Sequence, residues 1–356
     1  MSATVRSQRR PIGRLGRCAS WLASVVLAAS VTAACSSMPG AAPASKTAAA
    51  PPGKLKIQLN FIRNVEHAGL LFAEKEGFYK DENLELEIVT GGSGIDPIQV
   101  VAANGADIGV STSSSIINAR SQSVPVKAFA AQFQKAPTSL TCRADSGVTQ
   151  PSEIKGKKVG IKPTGRPLFN ILLTKLNLTA DDMELIPNGQ TDITPLADKR
   201  IDCLFTTFAV NEPVSLRMQG IDVNVFLNHD NGLPDQANTY FTNEKTLTEK
   251  ADLLARWTRA TRKGWEKAMV DPSTTAKAVL SSGYAENLNE AQQTEQGRLM
   301  FELMKSQLTT DKGLLWLNPE VWDTSAKNAH EQGVAGRLVP SSEVLTTTIL
   351  ESSVKK

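Results

Sequence analysis

Histidine and cysteine are the side chains that most often hold metals or act as nucleophiles and bases, and this chain has three of one and four of the other. They are scattered. No CxxC or HExxH spacing brings two ligands together, so no metal site is expected. No GxSxG elbow and no nucleophile placed beside a base can be found. The stretch "GGSGIDP" is rich in glycine but lacks the Lys-Ser/Thr pair that would grip a triphosphate, and no GxGxxG follows the first strand-like run. Asp81, Glu82 and Asn83 read as a solvated turn. These absences favour binding over catalysis, with no cofactor.

What remains are polar and aromatic residues at strand ends. "LNFIRNVEHAGLLFAEKEGFYKDENLELEIV", Leu59 to Val89, leaves a strand at Asn60 and Phe61. It then passes through a polar turn containing Asn64 and reaches His67 at the start of an apolar helix-like run. Three roles are open to His67: catalyst, ligand contact or core packing. Its place after a short turn leads us to expect a hydrogen-bonding group that contacts ligand or holds the Asn60 turn. Gly91-Gly92, Ser111-Thr112-Ser113, Thr164-Gly165 and Asn188 also follow strand-like runs. Open α/β sheets bind ligands at the carboxyl ends of their strands, so these positions are candidate ligand contacts. Each residue is also an ordinary turn former; the signal lies in their register.

The elements that would position them alternate. "KLKIQLNF" has the period of a strand and "HAGLLFAEKEGFY" that of a helix. "LELEIV" is a second strand, and "GIDPIQVVAANG" reads as a helix with Asp96 as cap and Pro97 in its first turn. "ADIGVS" and "VPVKAFAAQF" continue the series, and the pattern restarts after "SLTCRADS". Two mainly parallel sheets flanked by helices are expected, one per lobe, with a cleft between them. Lobe 1 should span residues 54–138 and lobe 2 residues 139–238. Residues 239–356 should return to lobe 1 and end in helices. Trp257, Trp265, Trp316 and Trp322 recur at helical spacing and read as core.

Residues 1–34 read as an export signal: five arginines, no Lys, Asp or Glu, then an apolar run ending in small residues. "VTAAC" resembles a bacterial lipobox, with Thr32 where leucine is common, so Cys35 is the expected lipid attachment site. An ordinary signal peptide cut nearby is the other reading. Residues 35–53 form a tether of mostly Ala, Pro, Ser and Gly. The formal charge of +3 becomes −2 once the five leader arginines are set aside, so no nucleic-acid footprint is expected. Cys142 and Cys203 are then an even pair in an oxidising compartment. They are either a disulfide within lobe 2 or two buried thiols.

From Asn60 to Val89, and again in "GGSGIDPIQVVAANGADIGVSTSSSI", "SVPVKAFAAQFQKAPTSLTCRADSGV", "PSEIKGKKVGI" and "NEPVSLRMQG", the chain resembles the thiamine-pyrimidine-synthase-like family. That family includes periplasmic solute-binding proteins of ABC importers. The resemblance runs in family order over residues 54–240. It implies the two-lobed, type II-like periplasmic-binding-protein fold, with an ABC permease and ATPase as partners. The implied ligand is a small heteroaromatic coenzyme precursor, first an aminopyrimidine precursor of thiamine, otherwise riboflavin, a sulfonate or nitrate. By the same resemblance Asn60, Phe61 and Glu212 would lie at the cleft, with Phe208 as an aromatic wall. As residue types, Phe61, Phe208 and Tyr240 suit a flat ring and could equally line the lobe cores. A helix-start carboxylate is the plainer reading of Glu212. The family also has fungal enzymes that make the pyrimidine. Ser111 and Ser115 stand where those enzymes carry a cofactor lysine and a sacrificed histidine, which argues against that chemistry here.

Overall fold

The computed structural model describes residues 51–354 apart from 93, 163, 164, 190, 191 and 286. Among the described residues ten strands form two five-stranded sheets. In chain order they are β1 (Gly53–Gln58), β2 (Leu84–Val89), β3 (Ile108–Ser111), β4 (Val126–Ala131) and β5 (Thr138–Arg143). There follow β6 (Lys158–Ile161), β7 (Glu184–Pro187), β8 (Cys203–Phe208), β9 (Val223–Leu227) and β10 (Thr239–Asn243). One sheet has the order β2-β1-β3-β10-β4 and the other β7-β6-β8-β5-β9.

Both sheets are mixed. β1 runs parallel to β2 and β3, and β6 runs parallel to β7 and β8. β10 is antiparallel to both its neighbours, and so is β5. The reversal follows from connectivity. β5 and β10 each enter their sheet directly from the other one, so they start at the end where the other strands finish. Every other strand therefore points its carboxyl end at the crossover segments, residues 132–137 and 228–238. These segments bond to each other through Gln132 N–H to Asn238 O (3.1 Å), Phe133 N–H to Ala237 O (3.3 Å) and Ala136 N–H to Asp235 O (2.9 Å).

Local signals explain the helices. Asp96 accepts from the Ile98 N–H (2.9 Å) ahead of Pro97, starting the helix Pro97–Ala102. The helix Ala68–Lys75 stops before Gly77, which turns the chain at φ 79°. The long helix Ala251–Ala268 lies on Ala68–Lys75 at very short range: a Cβ on Gly264 would sit 2.1 Å from the Gly69 carbonyl. Trp257, Trp265 and Trp322 are fully buried and Trp316 nearly so, in a core that the first sheet shares with the C-terminal helices. The second sheet has its own smaller core, with Phe169 and Phe205 at 4.8 Å between ring centres.

A disulfide joins Cys142 of β5 to Cys203 of β8, directly opposed in the ladder and 61 residues apart in sequence. Closing a loop of that length stabilises by about 4 kcal/mol on the chain-entropy model. Reduction, or the double change Cys142→Ser/Cys203→Ser, should lower the unfolding free energy in urea by ~2–4 kcal/mol. An unchanged urea midpoint would show that the bridge contributes nothing.

Candidate functional site

The turn after β1 turns a carboxylate inward. Leu59 N–H bonds to Val89 O and Gly91 N–H to Phe61 O, both at 3.0 Å, which seats the two strand ends side by side. Only glycine fits at 91, because a Cβ there would lie 2.3 Å from the Leu59 carbonyl. Asn64 then caps a 3-10 turn, Val65–His67, by accepting from the Glu66 N–H at 2.8 Å. The Val65 N–H is held by Gln293 at 3.0 Å, and the Glu66 side chain is left inside, 5% exposed.

Glu66 is met by amides. Asn238 Nδ2 donates to Glu66 Oε1 (3.0 Å) and to Gln132 Oε1 (3.1 Å), while Asn60 Nδ2 donates to Asn238 Oδ1 (3.0 Å). Asn238 sits at φ 47°, a left-handed conformation that asparagine tolerates better than most residues. The β1 turn is thus tied to both crossovers through one buried amide. Burial pushes the Glu66 carboxyl up to about 7; the Glu212 charge adds to this, and the Asn238 and Asn64 bonds oppose it.

Glu212 comes from the other lobe, at the start of the helix Glu212–Met218, and is 7% exposed. Its Oε2 accepts from the Phe208 N–H at 2.9 Å. Burial raises this carboxyl too, against the pull of its own backbone N–H, the Phe208 N–H and Lys162. The lobes meet here: Phe208 stands edge-on to Phe133 (6.0 Å), and Gln292 donates to Asn211 (2.9 Å). Lys162, at the end of β6, donates to the Thr206 carbonyl at 3.3 Å. Thr206 has φ 65°, rare for a β-branched residue.

Lys162 and Thr206 also line a cavity of about 480 Å³ between the starts of the helices Ser113–Ser121 and Arg166–Lys175. Thr112, Ser114, Gly165, Asn228 and Asp235 share its wall. Of the sequence candidates, Thr112 and Gly165 meet here. Ser113 is one bond away: its N–H and hydroxyl both donate to the Asp235 carboxylate. Asn60 and Asn64 belong to the Glu66 network, and Phe208 and Glu212 to the lobe contact. Phe61 and Ser111 are half-buried at the ends of β1 and β3, with Gly92 beside Gly91. Thr164 and Cys35 lie outside the described residues.

Three candidates fall elsewhere. Asn188 spends its amide on the carbonyls of Gly189 and Asp192, tying down its own loop. Tyr240 is fully buried and packs edge-on to Trp257 at 4.8 Å, because alternate residues of β10 face the helical layer. His67 is fully buried as well. Neither ring nitrogen has a partner among the described residues, and burial, with the Arg63 charge, lowers its pKa to about 3. Its backbone N–H donates to the Asn64 carbonyl (3.1 Å), but its imidazole neither bonds the Asn60 turn nor carries charge; the Asn64 side chain does the turn's work. Conversely, Glu66, Gln132, Lys162, Asn228, Asp235 and Asn238 were not singled out by sequence. Gln132, Lys162 and Asn228, each one residue past a strand (β4, β6 and β9), carried the strand-end signal; the other three did not. Among the described residues no group of three His, Cys, Asp or Glu could hold a metal.

Residues 64–275 match the family model described as NMT1/THI5 like. The formylaminopyrimidine-binding protein of Halalkalibacterium halodurans is 24% identical, over 70% of this chain and 77% of its own length. The riboflavin-binding protein RibY of Chloroflexus aurantiacus is 23% identical, over 89% and 93%. Shorter stretches, 30% and 38% of the chain, match 4-amino-5-hydroxymethyl-2-methylpyrimidine phosphate synthases of Legionella pneumophila and Aspergillus parasiticus. Among solved structures, the periplasmic aliphatic sulphonate binding protein SsuA from Escherichia coli superposes with a TM-score of 0.62 at 14% identity, over 82% of this chain and 92% of that one. The fold is that of periplasmic binding proteins, as the strand order and the double crossover also indicate.

A carboxyl raised on folding stabilises fully below its unfolded value, and that contribution is lost as pH rises through the folded value. For Glu66 the window runs from 4.5 to about 7. Glu66→Gln keeps an acceptor for Asn238 and removes the charge. It should raise stability at pH 8 by ~1–3 kcal/mol relative to wild type and leave stability at pH 4 nearly unchanged. Melting curves across that range check this; equal gains at both pH values would contradict it.

Proposed function

The chain belongs to the NMT1/THI5-like family, and from that premise we propose that it is the substrate-binding component of an ABC importer. It captures a small heteroaromatic coenzyme precursor between its lobes, first an aminopyrimidine precursor of thiamine, and delivers it to a permease and its ATPase. The observation that carries this reading is the pair of buried carboxylates, Glu66 and Glu212, contributed by opposite lobes. A carboxylate accepts hydrogen bonds from an exocyclic amino group and a protonated ring nitrogen together, so it suits an aminopyrimidine better than an anion. Relatives that bind formylaminopyrimidine and riboflavin support a flat nitrogen heterocycle as the ligand class. The synthase relatives keep an enzyme reading in the family. Ser111 and Ser115, a strand-end hydroxyl and an exposed helix-start hydroxyl, offer no amine or imidazole for it.

Calorimetric titration with formylaminopyrimidine, riboflavin, an alkanesulfonate and nitrate tests the ligand class, with chromatography of the same mixtures for product. We expect binding of a heterocycle without turnover. Glu212→Gln should weaken it ten- to hundredfold, the loss of one charge-assisted contact worth roughly 1–3 kcal/mol. Product formation, or binding of the two anions alone, would defeat the reading.

The leader and tether support export with a lipid on Cys35, which would keep the folded part beside the permease. Cys35→Ser should move the protein from the membrane fraction to the soluble exported fraction. A wild-type protein already wholly soluble there would remove the anchor from the account.

A further inference from the structure

The start of a helix is by default an anion site, because its first N–H groups lack partners and carry partial positive charge. In the helix Ser113–Ser121 that site is filled from within. The Ser113 N–H (3.1 Å), the Ser113 hydroxyl and the Ser114 hydroxyl (3.0 Å) all donate to Asp235, and Thr112 Oγ1 accepts from the Ser115 N–H at 3.2 Å. The 480 Å³ cavity therefore has a carboxylate on its wall where a bound anion would otherwise sit.

Elsewhere on the same wall, polar groups wait for a partner. Asn228 is 1% exposed, yet neither its Oδ1 nor its Nδ2 has a hydrogen-bond partner among the described residues. Its backbone is fixed, donating to Thr138 O at 2.9 Å and accepting from Leu233 N–H at 3.0 Å, so the residue that carries the amide is held in place on the wall. Thr206 Oγ1 is likewise buried and unpartnered, on a residue whose left-handed backbone is costly for a β-branched side chain. A buried amide left unpaired costs free energy that a bound group with matching donors and acceptors would return. An asparagine side chain offers an acceptor beside a donor. Its complement is a donor beside an acceptor, as in a lactam, a formylamino group or the amino edge of a pyrimidine.

We propose that this cavity takes a neutral planar group bearing an N–H beside an oxygen or nitrogen acceptor, read by Asn228 and Thr206, and that Asp235 shuts anions out. This rests on the reading that the protein captures a small molecule between its lobes. The apolar part of the wall, Leu168, Ile171 and Leu233, suits the faces of a ring, and the volume suits one or two rings.

The test uses the full exported chain, labelled with 15N-asparagine, titrated with 2-pyridone as a neutral lactam and in parallel with methanesulfonate. We expect 2-pyridone to shift the Asn228 side-chain amide signal saturably. Asn228→Ala and Thr206→Val should each weaken that binding at least fivefold. Asn228→Asp, which keeps the shape and removes the donor, serves if the alanine variant does not fold. Methanesulfonate should move nothing in the wild type and should bind folded Asp235→Ser. The proposal is overturned if 2-pyridone binds Asn228→Asp as well as wild type. It is equally overturned if wild type takes methanesulfonate, or if folded Asp235→Ser does not. A protein that captures a heterocyclic precursor while Asn228 stays unmoved sinks this inference and leaves the importer reading intact. An Asn228 shift with 2-pyridone, in a protein that captures no such precursor, sinks that reading alone.

Discussion

The chain crosses between its lobes twice, and the two crossings are bonded to each other through backbone. Most of the structure follows from that constraint. It makes β5 and β10 run against their neighbours and aims the carboxyl ends of the other strands at one gap. It also places Gln132, Asp235 and Asn238 opposite the strand ends they serve. Gln236 reinforces the crossing: its side chain bonds the Phe133 and Trp316 carbonyls, the Asn318 N–H and the Trp322 indole. A fully satisfied buried amide of this kind fixes geometry well, since every alternative arrangement would strand a polar group.

The gap so formed has an unusual electrostatic character. Two carboxylates from opposite lobes are withdrawn from water; among the described residues half-buried Lys162 offsets the charge of Glu212, and no cation offsets that of Glu66. Burying acids without a matching cation opposes folding unless they stay partly protonated, which is the direction in which both are shifted. A third carboxylate, Asp235, is pushed up to about 6 by burial even though three serine groups donate to it. An interlobe space arranged in this way favours a ligand that brings N–H donors and disfavours one that brings negative charge. Strain and unpaired groups at Thr206 and Asn228 point the same way, toward contacts left for something else to complete.

How much of this was legible beforehand divides along sequence distance. Strand and helix periods, the Asp96-Pro97 helix start and the tryptophan core all depend on neighbours a few residues away, and they were readable. So was the class of fold, because alternating elements leave few topologies. The partners of Glu66 were not: Asn238 lies 172 residues away and reaches it only through the second crossover. His67 misled for a related reason. Its position after the turn suggested the cleft edge, but the 3-10 turn rotates Glu66 into the amide network and sends His67 into the core. Tyr240 was open between cleft and core until β10 was placed inside its sheet, between β3 and β4, where alternate residues face the helices.

The central claim is that the space between the lobes selects a nitrogen heterocycle and refuses anions. Native mass spectrometry of the protein purified gently from its own host, followed by release and identification of whatever small molecule accompanies it, tests this most directly. The account predicts a neutral or basic ring compound with an amino, formylamino or lactam edge, bound at one per chain. A sulfonate, a phosphate ester or nitrate as the companion would contradict it.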